Sequence, residues 1–377
     1  MIPFLALIFL LISKIFCASV FPEQVHISLG EDAAAMVVTW VTFEKNYKVG
    51  TSDGWSKQFQ FKTFPAGNNF KFRVCVFGDL GYHFGNSIPD LMKAAKNDLF
   101  DMIIHVGDIA YDLHKTDDDG VNIGDKYMRE LEPIFSRFPY MVIAGNHEND
   151  KLNFSHFHNR FRMPGEVNGH HNNQYYSYNV GSAHFFGVST EDYGYREEYG
   201  NAPILAQYNW LTNDLQETNK NRVIRPWIIG YQHRPFYCSN TECPIDAEPL
   251  IRIGDNNGIP GLEPAFIQNK IDLQFCGHRH SYERFYPIAN LVAYGNDSSG
   301  NAYHNAAAPT YITVGTAGCH SSKTPFGSPH PASAFRSDDW GYTIMTIYNH
   351  THINLYQWSV DQQKNIDNIW ITKDFGH

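Results

Sequence analysis

The run VFGDLG at residues 76–81, followed by HVGDIAY at 105–111 and VIAGNHE at 142–148, decides how this chain is read. Each block has the same grammar: a few apolar residues, then Gly, then a polar side chain able to hold a metal. A short apolar run bounded by a turn reads as a buried strand. GYQHRP at 230–235 and FCGHRH at 275–280 repeat the pattern with histidine. Five strand ends therefore carry Asp79, Asp108, Tyr111, Asn146, His147, His233, His278 and His280. The Gly lets the chain turn sharply as it leaves the sheet, so the next side chain projects from its edge. Adjacent strand ends lie about 5 Å apart, and ligands from several of them can surround two ions roughly 3.5–4 Å apart. Any single Gly-Asp is more often a turn than a ligand; five such ends in succession are another matter.

Outward from these blocks the pattern is α/β. KFRVCVFG, MIIHVG, YMVIAG, HFFGVS, WIIGY and IDLQFCG read as strands, and helical stretches are expected at about Ser87–Leu99, Lys126–Phe138 and Ile204–Thr218. Strands alternating with helices imply sheet buried on both faces, with ligands at the strand ends. After Pro309 the chain returns to strands in TYITVG, YTIMTIY and HINLYQWSV. Before Phe70, QVHISL and MVVTWVTF suggest about three strands, ended by the breaker cluster Pro65-Ala66-Gly67-Asn68-Asn69. The expected organisation is a leader at 1–19, a short β region at 20–69 and one catalytic domain at 70–377.

The leader MIPFLALIFLLISKIFCAS has the shape of a secretory signal peptide. Its apolar run is shorter than the ~20 residues of a membrane span, and no later stretch is long and apolar enough to cross a bilayer. A secreted or lysosomal destination follows. Cys238 and Cys243 flank a short polar loop suited to a local disulfide in an oxidising compartment, whereas Cys75 and Cys276 sit in strand-like runs as buried thiols. Asn153, Asn296 and Asn349 head glycosylation sequons. The formal net charge of −10 argues against nucleic acid, since no basic excess exists to neutralise a phosphate backbone. An anionic substrate would need local positive charge, which bound metal supplies.

Carboxylate, phenolate and imidazole together suit a hard trivalent ion such as Fe(III). Imidazole with an amide oxygen and a carboxylate suits Zn(II), Fe(II) or Mn(II). Asp108, with two oxygens, is the natural bridge. His105, inside a strand, is expected in the core.

In this order, GDLG, GDIAY, GNHE, the lone His of GYQHRP and GHRH resemble the five metal-ligand blocks of the purple acid phosphatases, and HRPFYCS is similar to the animal and fungal-type members. The Asp…GD…GNH part is common to calcineurin-like phosphoesterases; Tyr111 marks the purple class. The resemblance implies a four-layer α/β/β/α sandwich preceded by a truncated fibronectin-like segment. It implies Fe(III) on Asp79, Asp108, Tyr111 and His280, and a divalent ion on Asp108, Asn146, His233 and His278. Asn146 and His147 would face the substrate, and a homodimer is allowed. The implied activity is hydrolysis of small phosphate monoesters by attack of a metal-bound hydroxide, with His147 as the acid. A phosphodiesterase or nucleotidase with two divalent ions, and a non-catalytic secreted protein, are the competing readings.

Overall fold

The structure is a computed structural model that describes residues 25–29, 36–38, 46–48, 50–51, 54–164, 173–241, 243–295, 302–319 and 323–375. The leader at 1–19 and the Asn296 sequon lie outside the described residues.

Two seven-stranded sheets form the body. The first contains β1 (Phe72–Phe77), β2 (Met102–Val106) and β3 (Tyr140–Ile143), which run parallel, with Val74 beside Met102 and Ile103 beside Tyr140. The second contains β4 (Tyr176–Val180), β5 (Ala183–Gly187), β6 (Trp227–Tyr231), β7 (Leu273–Cys276) and β8 (Tyr282–Phe285). The chain then supplies β9 (Ala302–His304) to the first sheet and β10 (Thr310–Val314) and β11 (Ser333–Ser337) to the second. It closes the first sheet with β12 (Gly341–Ile347), β13 (His352–Ser359) and β14 (Lys364–Thr372). The strand orders are β9-β14-β13-β12-β1-β2-β3 and β4-β5-β6-β7-β10-β8-β11. β12 is antiparallel to β1, with Met345 beside Val74, so the C-terminal strands extend the parallel core.

Side-chain alternation builds the layers. On β6, Trp227, Ile229 and Tyr231 belong to the core shared with Phe72 and Val74 of the first sheet. Ile228 between them belongs to the outer cluster with Leu211, Leu215 and Phe266. The Phe72 and Phe185 rings meet between the sheets, 6.2 Å apart, and Tyr176 Oη donates across the same layer to the Val142 carbonyl at 2.6 Å. Each such aromatic, fully buried, contributes on the order of 1.5–3 kcal/mol.

Helices cover both outer faces. α1 (Ile88–Lys96) and α2 (Ile123–Phe135) lie on the first sheet, and α3 (Ala202–Asn219) and α4 (Leu262–Gln268) on the second. α1 buries Ile88, Leu91, Ala94 and Ala95, and has Asp90 in its first turn and Lys93 and Lys96 in its last, matching the helix dipole. α3 buries Ile204, Gln207, Leu211, Leu215 and Thr218, one side of its helical repeat. The result is the α/β/β/α order expected from the sequence. The reading missed β4, β8, β9, β11 and β14, several of them edge strands with mixed polarity.

Within the expected 20–69 region, the described pieces are short antiparallel pairs: Ile27–Leu29 with Met36–Val38, Asn46–Tyr47 with Phe59–Gln60, and Gly50–Thr51 with Gly54–Trp55. The strand Ile27–Leu29 docks on the larger body. Leu29 joins the main core, Ser28 Oγ donates to the Arg162 carbonyl at 2.6 Å, and the His26 and Phe161 rings meet at 5.8 Å.

Candidate metal centre

The five blocks come from two sheets. Asp79, Asp108 and Asn146–His147 follow β1, β2 and β3; His233 and His278–His280 follow β6 and β7. All five ends of interest are C-terminal ends of parallel strands, and the two sheets present them along a common edge, where Gly78 N donates to the Val314 carbonyl at 2.9 Å. The sequence reading placed the ends as neighbours; the structure divides them three and two across a sandwich.

The glycines meet the expectation only in part. Asp79, Asp108, Tyr111 and His278 themselves take positive φ, between 49° and 67°, a costly conformation for non-glycine residues that concentrates at functional sites. Of the glycines before them, Gly107 takes φ +88°, as the sharp turn requires, whereas Gly78 and Gly277 are not in that region and serve by leaving space. A Cβ on Gly277 would lie 2.5 Å from Asp79 Oδ2, and one on Gly107 would lie 2.5 Å from His233 Nδ1.

Two groups of donors result. In the first, Tyr111 Oη lies 3.2 Å from Asp79 Oδ1 and 2.9 Å from His280 Nε2, and His280 Nε2 lies 3.5 Å from Asp79 Oδ1. In the second, Asn146 Oδ1 lies 3.1 Å from His233 Nε2 and 2.9 Å from His278 Nδ1, and His233 Nε2 lies 3.3 Å from Asp108 Oδ1. Asp108, His233 and His278 are close enough for their ligand atoms to share one ion. A backbone contact ties the groups together, His278 N donating to Asp79 Oδ2 at 2.9 Å, and His147 N donates to Asp108 Oδ1 of the second group at 3.0 Å.

The electrostatics fit cations in both places. His233 Nδ1 lies 2.8 Å from the Val106 carbonyl, which fixes that nitrogen as the donor and turns Nε2 inward. Burial disfavours a charged His233, yet Asp108 raises it to about 10. His280 is likewise lowered by burial but raised to about 11, chiefly by Asp79. Burial raises Asp108, while His233 pulls it well below the usual carboxylate range. Buried carboxylates that hold protons on neighbouring imidazoles so strongly also favour a metal ion in the protons' place. Tyr111 is pushed well up by burial and by Asp79, a shift that a bound trivalent ion reverses. A buried or half-buried set of four oxygen donors and three imidazoles suits one hard and one borderline ion.

His147 lies beside both groups, its ring 4.5 Å from that of Tyr111. Its Nδ1 is 2.5 Å from Asp112 Oδ1, and Asp112 also pairs with Lys115. Burial lowers His147, but Asp112 and Asp108 more than offset it and raise the imidazole above its ordinary value. Asp112 was missed in the sequence, although a carboxylate directly after Tyr111 was a visible signal. Glu148 was missed too. Its oxygens accept from Asp108 N and Gly145 N at 2.8 Å and from Ile109 N at 2.9 Å, joining the second block to the third. Burial and the Asp108 charge raise its carboxyl to about 8. Arg234, next to His233, is held by the buried Glu191 at 2.9 Å.

Other expected features are also placed. Cys238 and Cys243 form a disulfide with Cα atoms 5.8 Å apart; Cys75, Cys276 and Cys319 stay outside it and are buried. His105 is in the core, 2.6 Å from Tyr140 Oη. Asn153 and Asn349 lie in exposed bends. Among the described residues no helix is long and apolar enough to cross a membrane.

Residues 72–282 match the family model of calcineurin-like phosphoesterases, and residues 308–368 match that of the iron/zinc purple acid phosphatase-like protein C. Acid phosphatase type 7 of Mus musculus is 41% identical over 331 residues, spanning 87% of this chain and 73% of that protein. The Fe(3+)-Zn(2+) purple acid phosphatase 12 of Arabidopsis thaliana is 28% identical over 344 residues, spanning 87% of this chain and 69% of that protein. A purple acid phosphatase from yellow lupin (Lupinus luteus) seeds has the same fold, with a TM-score of 0.71 and 24% identity over 85% of this chain and 57% of that one. Fold, donor set and relatives agree: the chain belongs to the purple acid phosphatase family of calcineurin-like phosphoesterases.

Proposed function

We propose that the protein is an acid phosphatase that hydrolyses small phosphate monoesters at an iron and divalent-metal centre. Asp79, Asp108, Tyr111 and His280 would hold Fe(III). Asp108, Asn146, His233 and His278 would hold the divalent ion, zinc, Fe(II) or manganese. The observation that carries this reading is the separation of the donors into an oxygen-rich group containing a tyrosine and an imidazole-rich group that includes Asp108, joined where His278 N donates to Asp79.

When bound, the two ions supply positive charge against the phosphate and a water acidified enough to attack phosphorus at low pH. The chain's own residues do the rest. His147, anchored through Nδ1 on Asp112, presents Nε2 to a phosphate oxygen or to the leaving alkoxide, which it protonates as general acid. Its raised pKa keeps that proton at mildly acid pH. Asn146, whose amide oxygen is shared by two imidazoles, orients the phosphate. Glu148 holds the backbone of the Asp108 block rigid for this role, which is how a site keeps its geometry within tenths of an ångström.

A secretory-pathway protein, outside the cell or in the lysosome, is the setting that agrees with the disulfide and with the exposed Asn153 and Asn349 as glycan acceptors. The test is Asp108→Ala: metal analysis should find neither ion retained at full occupancy, and phosphatase activity should be lost. Two metals retained by the variant would refute the ligand assignment.

A further inference from the structure

The loop closed by Cys238 and Cys243 takes no part in the chemistry above, yet it is packed against a candidate ligand. Asn240, inside the loop, is only 3% exposed. Its Nδ2 donates to Ser281 Oγ at 3.2 Å and to the Thr324 carbonyl at 2.9 Å. Thr324 in turn brackets His280 on both sides. Its N–H donates to the His280 carbonyl at 3.1 Å, and its Oγ1 accepts from the His280 N–H at 3.0 Å. The neighbours of Asn240 reinforce the contact: Ser239 N and Oγ donate to Glu283 at 3.0 and 2.6 Å, and Thr241 N donates to the Pro325 carbonyl at 3.0 Å.

His278, two residues away, is fixed by other means. Its N–H rests on the Asp79 carboxylate, and Gly277 N donates to the His233 carbonyl at 2.9 Å. Asp79 lies beside both histidines, 3.5 Å from His280 Nε2, but their backbones are held by different partners: that of His278 by Asp79, that of His280 by Thr324, which the disulfide-closed loop contacts through Asn240.

We propose that the Cys238–Cys243 loop, acting through Asn240 and Thr324, positions His280 as a ligand of the iron, while leaving the divalent site to other contacts. The proposal rests on the reading of His280 as an iron ligand. The physical basis is conformational. A covalently closed loop restricts the positions open to Asn240, and a buried amide with two good acceptors has little reason to leave them. Contacts that orient a ligand from behind set metal affinity by about 10–100-fold.

The test uses metal-loaded protein in excess chelator, with iron and divalent content followed separately, for wild type, Asn240→Ala, Thr324→Val, the Cys238→Ser/Cys243→Ser double variant and His280→Ala. Hydrogen exchange of residues 278–283 is followed in the metal-free forms. We expect iron to leave Asn240→Ala and Thr324→Val at least about tenfold faster than wild type, divalent loss to be unchanged, and exchange around His280 to accelerate without metal. Thr324→Val removes one acceptor at nearly constant shape, so it decides the matter if Asn240→Ala or the double variant fails to fold. Wild-type iron retention in Asn240→Ala and Thr324→Val, with iron lost from His280→Ala, would overturn the clamp alone. Iron retained in His280→Ala would overturn the ligand reading beneath it. Equal acceleration of both metals would show general loosening and also overturn the proposal.

Discussion

Gly145→Ala is a one-methyl test of how tightly the donor groups are assembled. A Cβ at Gly145 would fall well inside contact distance of Asp108 Oδ1, 2.5 Å from Asp108 N and 2.8 Å from His233 Cε1. Ordinary contact begins near 3.4 Å, so the Asp108 carboxylate and its backbone must move by about 1 Å. The Gly145 backbone has φ −104°, which alanine adopts readily, so the effect is steric and not conformational. Overpacking of this kind costs about 1–3 kcal/mol of stability. Moving a bridging ligand by about 1 Å costs up to about 100-fold in rate. It also disturbs the Glu148 and His147 hydrogen bonds that converge on Asp108. The assays are metal content after dialysis, kcat on an aryl phosphate and a thermal melt. Gly327→Ala is the control, because its nearest contact would be an ordinary 3.4 Å to the Ser239 carbonyl. Gly145→Ala with both metals and wild-type kcat would refute the reasoning.

Asp112→Asn removes the charge facing His147, so its imidazole should lose its proton at lower pH; the alkaline limb of the kcat profile should move toward acid and kcat fall about tenfold. An unmoved limb would mean that His147 is not the acid. Asp192 is buried, and burial together with Glu191 raises its carboxyl to about 7. Its folded value lies above its unfolded one, so its contribution is full below about pH 4 and is lost as pH rises to about 7, at about 1.4 kcal/mol per unit. Asp192→Asn should therefore flatten the fall of Tm across that window and raise stability at neutral pH; an unchanged slope would contradict the assignment.

The metal-bearing blocks were legible because each is local: an apolar run, a Gly and a ligand fit within seven residues, and their order along the chain carries the rest. Three of the outer helices, α1 to α3, were legible, and the buried set Ile204, Leu211 and Leu215 of α3 lies on one side of its repeat; the short α4 (Leu262–Gln268) was not expected. What could not be read was tertiary. Nothing in a one-dimensional pattern says that β1–β3 and β6–β7 belong to different sheets. Glu148 acts on Asp108 from 40 residues away, and Asn240 on Thr324 from 84; each looks like an ordinary loop polar residue until the fold closes. The role given to the glycines holds at Gly107, whose φ is +88°, but not at Gly277, where the space a Cβ would need is taken by Asp79, a contact no local sequence reveals.

The most direct test of the central claim is a visible absorption spectrum with metal analysis, on wild-type protein and Tyr111→Phe from a secretory host. The account predicts one iron and one divalent ion per wild-type chain, with a broad tyrosinate-to-iron band that Tyr111→Phe lacks. Two metals without that band in the wild type, or a band that survives Tyr111→Phe, would contradict it.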